Sequence, residues 1–229
     1  PDSAQELADL TMDAFDLADR YRTPVMILAD GMMGQMMEPA ELPPMQPLKT
    51  TFPEWAVRGL HEGKNRILSS IYLDPPSQER TNIRIEQNWL KVKANEVRFK
   101  EYFLDDAEFV VVGFGSTGRV ALSAVRAARA EGLKVGLLRP ITLNPFPEAA
   151  LDELSRRVQG FLVVEMNAGQ MLKDVRLAAA GRAPVGFFGR MGGIMPLPDE
   201  IQAEIHRMVK NPEQQNSRER WLERLAQNY

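Results

Sequence analysis

The stretch Phe109-Val110-Val111-Val112-Gly113-Phe114-Gly115-Ser116-Thr117-Gly118 decides how the rest of the chain reads. Four consecutive apolar residues followed by closely spaced glycines predict a strand buried on both faces that turns at once into a helix. The pattern returns three times. Val135 to Leu138 leads into Arg139-Pro140-Ile141-Thr142-Leu143-Asn144-Pro145-Phe146-Pro147. Phe161 to Val164 leads into Glu165-Met166-Asn167-Ala168-Gly169-Gln170-Met171, and Val185 to Phe188 into Gly189-Arg190-Met191-Gly192-Gly193. Helical patterns at about 118–131, 147–158, 169–180 and 199–210 alternate with these runs. Such alternation predicts an α/β fold, a mostly parallel sheet with helices on both faces. Neighbouring parallel strands would bring all four loops to one rim, where open α/β sheets place ligands and partner surfaces.

Outward from this core the pattern changes. Residues 3–21 read as an amphipathic helix opened by the capping box Ser3-x-x-Glu6, with Leu7, Leu10, Ala14, Leu17, Ala18 and Tyr21 on one face. Thr23-Pro24 stops it, and Val25 to Ala29 reads as a buried strand ending at Asp30-Gly31. One helix and one strand close no core, so residues 1–31 read as the end of a larger α/β domain. Five prolines between 39 and 53 predict an extended linker. Residues 54–76 are mixed, and a polar helix is predicted from Ser77 to about Asn95. Val97 to Phe103 alternates like a half-exposed strand. A charged helix from about Asn216 to Gln227 closes the chain, with Trp221, Leu222 and Leu225 on one side.

The 229 residues are 44% hydrophobic, enough for a real core. A net charge of −3 with no basic stripe argues against nucleic acid. No apolar run approaches the roughly 20 residues of a membrane span. With no cysteine the chain makes no disulfide and ligates no iron–sulfur cluster through thiolates; a cytoplasmic location is the default. His61 and His206 stand too far apart in sequence to suggest a zinc or iron site.

Each candidate site has two readings. Gly113-x-Gly115-x-x-Gly118, after a strand and opening a helix, fits a phosphate-binding loop. An NAD site wants an acid at the end of the next strand, where this chain has Arg139; an arginine there suits NADP instead. The plainer reading is a tight strand-to-helix turn. The proline-rich segment after Arg139 is a rigid crossover or a stiff partner surface. Asn167 caps the next helix or, with Glu165 and Gln170, lines a cleft. Arg190 holds an anion or pairs with a neighbouring acid. Met32, Met33, Met36 and Met37 suggest packing at an interface, and Asp30 alone is weak evidence for magnesium. No nucleophile stands beside a base.

Several segments resemble a known family: LADLTMDAFDLADRYRTPVMILADGMMGQMMEP (7–39), VRFKEYFLDDAEFVVVGFGSTGRVA (97–121), GLKVGLLRPITLNPFP (132–147), VVEMNAGQM (163–171) and GRMGG (189–193). They are similar to the α subunit of 2-oxoacid:ferredoxin oxidoreductases, most like the 2-oxoisovalerate (3-methyl-2-oxobutanoate) branch. The resemblance implies that residues 1–38 end a domain binding the aminopyrimidine of thiamine diphosphate. Residues 39–95 would be a linker and helical connection. Residues 96–210 would form a domain like the C-terminal domain of transketolase, and 211–229 a terminal helix. That fold is a five-stranded mixed sheet of order one-three-two-four-five with its first strand antiparallel. The implied reaction is oxidative decarboxylation of a 2-oxoacid with coenzyme A, electrons passing to ferredoxin.

The resemblance also implies that thiamine diphosphate and magnesium are held mainly outside this chain, by a G-D-G motif of a partner subunit. This chain has Ala29-Asp30-Gly31 instead. Iron–sulfur clusters would sit on other subunits. No family catalytic residue maps here, so the piece alone should be inactive. Gly115, Ser116, Thr117, Arg139, Asn167, Gln170 and Arg190 are the cofactor-binding or interface candidates. An NADP-binding oxidoreductase domain and a non-catalytic assembly module are the alternatives.

Overall fold

The computed structural model describes residues 1–45, 47, 51–57, 59, 67–212 and 218–226. The predicted linker at 46 and 48–50, His61 and both ends of the closing helix fall outside them. The chain forms α1 (Ala4–Tyr21), α2 (Gly31–Gln35), α3 (Pro75–Asn95), β1 (Phe99–Tyr102), β2 (Phe109–Val112) and α4 (Gly115–Ala130). It continues with β3 (Val135–Pro140), α5 (Glu148–Ser155), β4 (Gly160–Glu165), α6 (Met171–Ala179), β5 (Val185–Gly189), α7 (Pro198–Lys210) and α8 (Arg218–Ala226).

The five strands lie in the order β1-β3-β2-β4-β5. β2 to β5 are parallel, and β1 pairs antiparallel with β3. The four parallel strands are buried at every position, as apolar runs covered on both faces require. β1 is the half-exposed edge predicted by its alternation. α4 packs on α7 over one face and α5 on α6 over the other, giving three layers. Val110, Val111, Val112, Leu137, Leu162 and Val163 form the centre. The register is sequential, Val112 pairing Leu138 on one side and Val163 on the other. The strand ends therefore align, and their loops share a rim.

α1 begins as its capping residue predicts, Ser3 Oγ accepting from Glu6 N. α6 starts two residues later than periodicity suggests, at Met171, because side chains of Glu165 and Asn167 hold the intervening turn.

Val25 to Ala29 is a correction. The run joins no ladder among the described residues, and Met26 and Leu28 are 80% and 59% exposed. Apolar periodicity specifies a strand only where a neighbouring strand supplies hydrogen bonds. The methionine cluster is likewise split: Met33 is buried, whereas Met37 is fully open.

Candidate functional site

β2 and β4 are neighbours, yet their connections leave in opposite directions: β2 continues through α4 to β3, β4 through α6 to β5. A doubly wound sheet opens a crevice at such a switch point. Here the crevice is a cleft of about 210 Å³ lined by Phe114, Leu143, Phe146, Glu165, Gln170, Met171 and Asp174.

Glu165, at the end of β4, is the floor and is completely buried. Its carboxylate accepts from Met171 N at 2.9 Å, Leu172 N at 3.0 Å and Asn167 Nδ2 at 3.0 Å. These donors include otherwise orphaned N–H groups at the start of α6, whose dipole also favours a negative charge. Asn167 Oδ1 in turn accepts from Gly169 N and Gln170 N. The Glu165-to-Gln170 segment is thus a closed network that shapes the crevice. Gln170 alone of this group presents an exposed side chain at the wall.

The other half of the rim is occupied by the N-terminal segment. Arg139, at the end of β3, is 1% exposed and grips Glu6 of α1 with both terminal nitrogens, at 2.8 and 2.6 Å. Arg139 Nε lies 3.2 Å from Asp2, and Lys100 Nζ of β1 is 3.3 Å from Glu6. Burial raises the Glu6 carboxyl, but hydrogen bonds from Arg139, its charge and the Asp2 N–H outweigh this and hold it at about 2. Glu38 adds a second tie, accepting from Ala4 N and pairing with Arg119 of α4. At the far end of α1 the Tyr21 hydroxyl donates to Glu96 at 2.6 Å, and Arg98 joins Glu96 to Asp13.

The glycine loop fits underneath this segment. Gly115 has φ +54°, and a Cβ there would lie 3.3 Å from Pro1 O. A Cβ on Gly118 would sit 2.6 Å from Gly113 O and 2.9 Å from Arg139 Cγ. Ser116 is buried, and Thr117 donates its hydroxyl to Phe114 O. The tight-turn reading is the one realised. The NADP reading is set aside, since its arginine is held by Glu6 and its helix start is covered by chain.

Arg190, after β5, is paired with Glu200 at the start of α7. Of the two partners considered for it, the neighbouring acid is present. Trp221 of α8 is 1% exposed, donates to Gly189 O at 2.9 Å and stands edge-on to Phe187. It pins α8 beside the β5 exit, and Arg224 reaches Glu204 of α7.

Sequence reasoning marked Asn167, Gln170 and Arg139 on the rim but missed Glu6 as a latch, Asp174 as a cleft wall and Phe114 and Phe146 as its apolar sides. In the sequence Glu6 reads only as a cap, and nothing local signals a partner 133 residues away. Among the described residues no group of three histidines, cysteines, aspartates or glutamates converges to hold a metal. Asp30 Oδ1 accepts from Met33 N as the cap of α2.

Two family signatures match the chain: "Pyruvate flavodoxin/ferredoxin oxidoreductase, thiamine diP-bdg" over residues 1–100, and "Pyruvate:ferredoxin oxidoreductase core domain II" over 107–201. Among solved structures, 2-oxoglutarate:ferredoxin oxidoreductase from Magnetococcus marinus superposes with a TM-score of 0.73, covering 91% of this chain and 41% of that one. At 18% identity this likeness shows the fold. The chain belongs to the 2-oxoacid:ferredoxin oxidoreductases, as part of one of their subunits.

Its similarity runs to the ketoisovalerate branch. It is 48% identical over 193 residues to the ketoisovalerate oxidoreductase subunit VorB of Methanothermobacter marburgensis, covering 84% of this chain and 54% of that subunit. The VorB of Methanothermobacter thermautotrophicus is 47% identical over 203 residues, covering 88% and 57%. The 2-oxoglutarate synthase subunit KorA of the former organism is 31% identical, covering 90% and 62%. The chain thus spans little more than half the length of the VorB subunits.

Proposed function

We propose that this chain serves a thiamine-diphosphate-dependent complex that oxidatively decarboxylates a branched-chain 2-oxoacid with coenzyme A, forms acyl-CoA and passes electrons to ferredoxin. The 47–48% identity to ketoisovalerate subunits, against 31% to a 2-oxoglutarate subunit, carries the substrate preference. In this reading residues 1–38 end the pyrimidine-binding domain, 39–95 are a linker and helical connection, 96–210 form the transketolase-like domain and 211–229 are a C-terminal helix. Thiamine diphosphate, magnesium, iron–sulfur clusters and CoA are held mainly by other parts of the complex, working in the cytoplasm. No helix among the described residues is long and apolar enough to cross a membrane.

This portion contributes placement. Gly115, Ser116, Thr117 and Arg139 form the seat for the N-terminal segment, so the two domains share a polar interface. The Asn167–Gln170 turn faces partner chains, and Arg190 steadies the β5 exit through Glu200. An acid-lined cleft argues against an anionic substrate group in it. The test is an assay of the assembled complex with branched-chain oxoacids, pyruvate and 2-oxoglutarate, CoA and ferredoxin. Preference for the branched-chain acids is expected. A complex that turns over only pyruvate or 2-oxoglutarate defeats the substrate assignment, and one inactive with every oxoacid defeats the function.

A further inference from the structure

The switch-point crevice has a defined chemistry. Its walls are apolar, from Phe114, Leu143, Phe146 and Met171. Its one wall carboxylate is Asp174, an exposed residue for which no hydrogen bond or ion pair is found among the described residues. Burial and then the charge of Glu148 push the Asp174 carboxyl above its ordinary range; the adjacent Lys173 offsets this only in part. Glu148 itself has a long, exposed pairing with Lys93 at 3.8 Å. The helix-start N–H groups that would attract an anion are taken by Glu165. The crevice therefore repels anions and offers a carboxylate beside aromatic faces.

We propose that the crevice seats a lysine or arginine side chain projected by another subunit of the complex, its cation against Asp174 and its stem along Phe114, Leu143 and Phe146. This rests on the multi-subunit reading above. A basic side chain matches both parts of the site, since its methylenes cover apolar surface while its head meets a carboxylate or ring face. A free small cation would have one carboxylate to hold it, with nothing repaying its lost translational freedom. A side chain delivered by a docked subunit is already localised, and sits where the fold opens.

The experiment compares wild type, Asp174→Asn and Asp174→Lys in the full-length subunit, binding its purified partner subunits. Circular dichroism first confirms an unchanged melt for the subunit alone. The proposal expects roughly tenfold weaker association for Asp174→Asn at low salt, an effect that shrinks at high salt, and a larger loss for Asp174→Lys. Equal association of all three variants overturns it. So does micromolar binding of methylguanidinium to the subunit alone that Asp174→Asn removes, which would make the crevice a small-cation site. A wild-type subunit that finds no partner at all refutes the multi-subunit reading instead, and the two failures are distinguishable.

Discussion

Replacing Glu6 with glutamine tests what holds the N-terminal segment to the sheet. Arg139 is 1% exposed, and Glu6 supplies both oxygens to it. Glutamine keeps the shape but leaves a buried guanidinium with Asp2 as its nearest acid, at 3.2 Å. Breaking such a pair from one side costs about 3–5 kcal/mol. The acid's titration gives a similar size. Its carboxyl falls from an ordinary 4.5 to about 2, and about 1.4 kcal/mol per unit yields on the order of 3 kcal/mol. The loss should appear as undocking of α1, because β2 to β5 have their own core. Hydrogen exchange is the assay: amides of α1 should exchange roughly 100-fold faster, while those of β2 and β4 keep their protection. The double variant Glu6→Met with Arg139→Met should regain much of the loss, since it leaves no unpaired charge. The pH dependence has a fixed sign. Glu6 is depressed when docked, so its contribution is complete above about 4.5 and disappears as pH falls toward 2. Pepsin cleavage within α1 should rise across that window. Unchanged α1 protection in Glu6→Gln would refute the latch, and equal loss in α1 and β4 would refute its local character.

Three further outcomes follow from single sites. Gly118→Ala places a methyl 2.6 Å from a backbone oxygen, so thermal unfolding should show a loss of about 2 kcal/mol or more through forced backbone movement. Trp221→Ala removes a buried indole and its bond to Gly189 O; denaturant titration should register about 3–5 kcal/mol if α8 unfolds with the domain, and a separate early transition if it peels away first. Glu165→Gln puts an amide donor among three N–H groups and should cost about 2 kcal/mol, read by thermal melting, with exchange rising first in α6.

Legibility followed the range of the interaction. β2 to β5 were visible to within two residues because burial on both faces writes itself into consecutive apolar residues such as Phe109–Val112 and Phe161–Val164. The antiparallel edge strand and the strand order came from family resemblance, since periodicity says nothing about which strand lies next to which. Glu165 and Asn167 stood out because their partners are within seven residues. The Arg139–Glu6 clamp did not, because a pair separated by 133 residues leaves no local trace. Val25 to Ala29 shows the converse: its pattern is clear, but no described strand stands beside it.

The rim is best understood as a division of charge. Its β3 side carries the buried Arg139 and the exposed Lys100 and Arg119, answered by Glu6, Asp2 and Glu38 from the N-terminal segment. Its β2–β4 crevice carries Glu165 and Asp174, of which only Glu165 accepts hydrogen bonds from the described residues. Cations at an interface need their acids in place, because a buried charge without a partner costs several kcal/mol. The first half is therefore a closed joint that fixes the N-terminal segment on the sheet, whereas Asp174 is exposed at the solvent boundary. A rigid internal joint at Arg139 and Glu6 and an outward carboxylate at Asp174 thus stand on one rim.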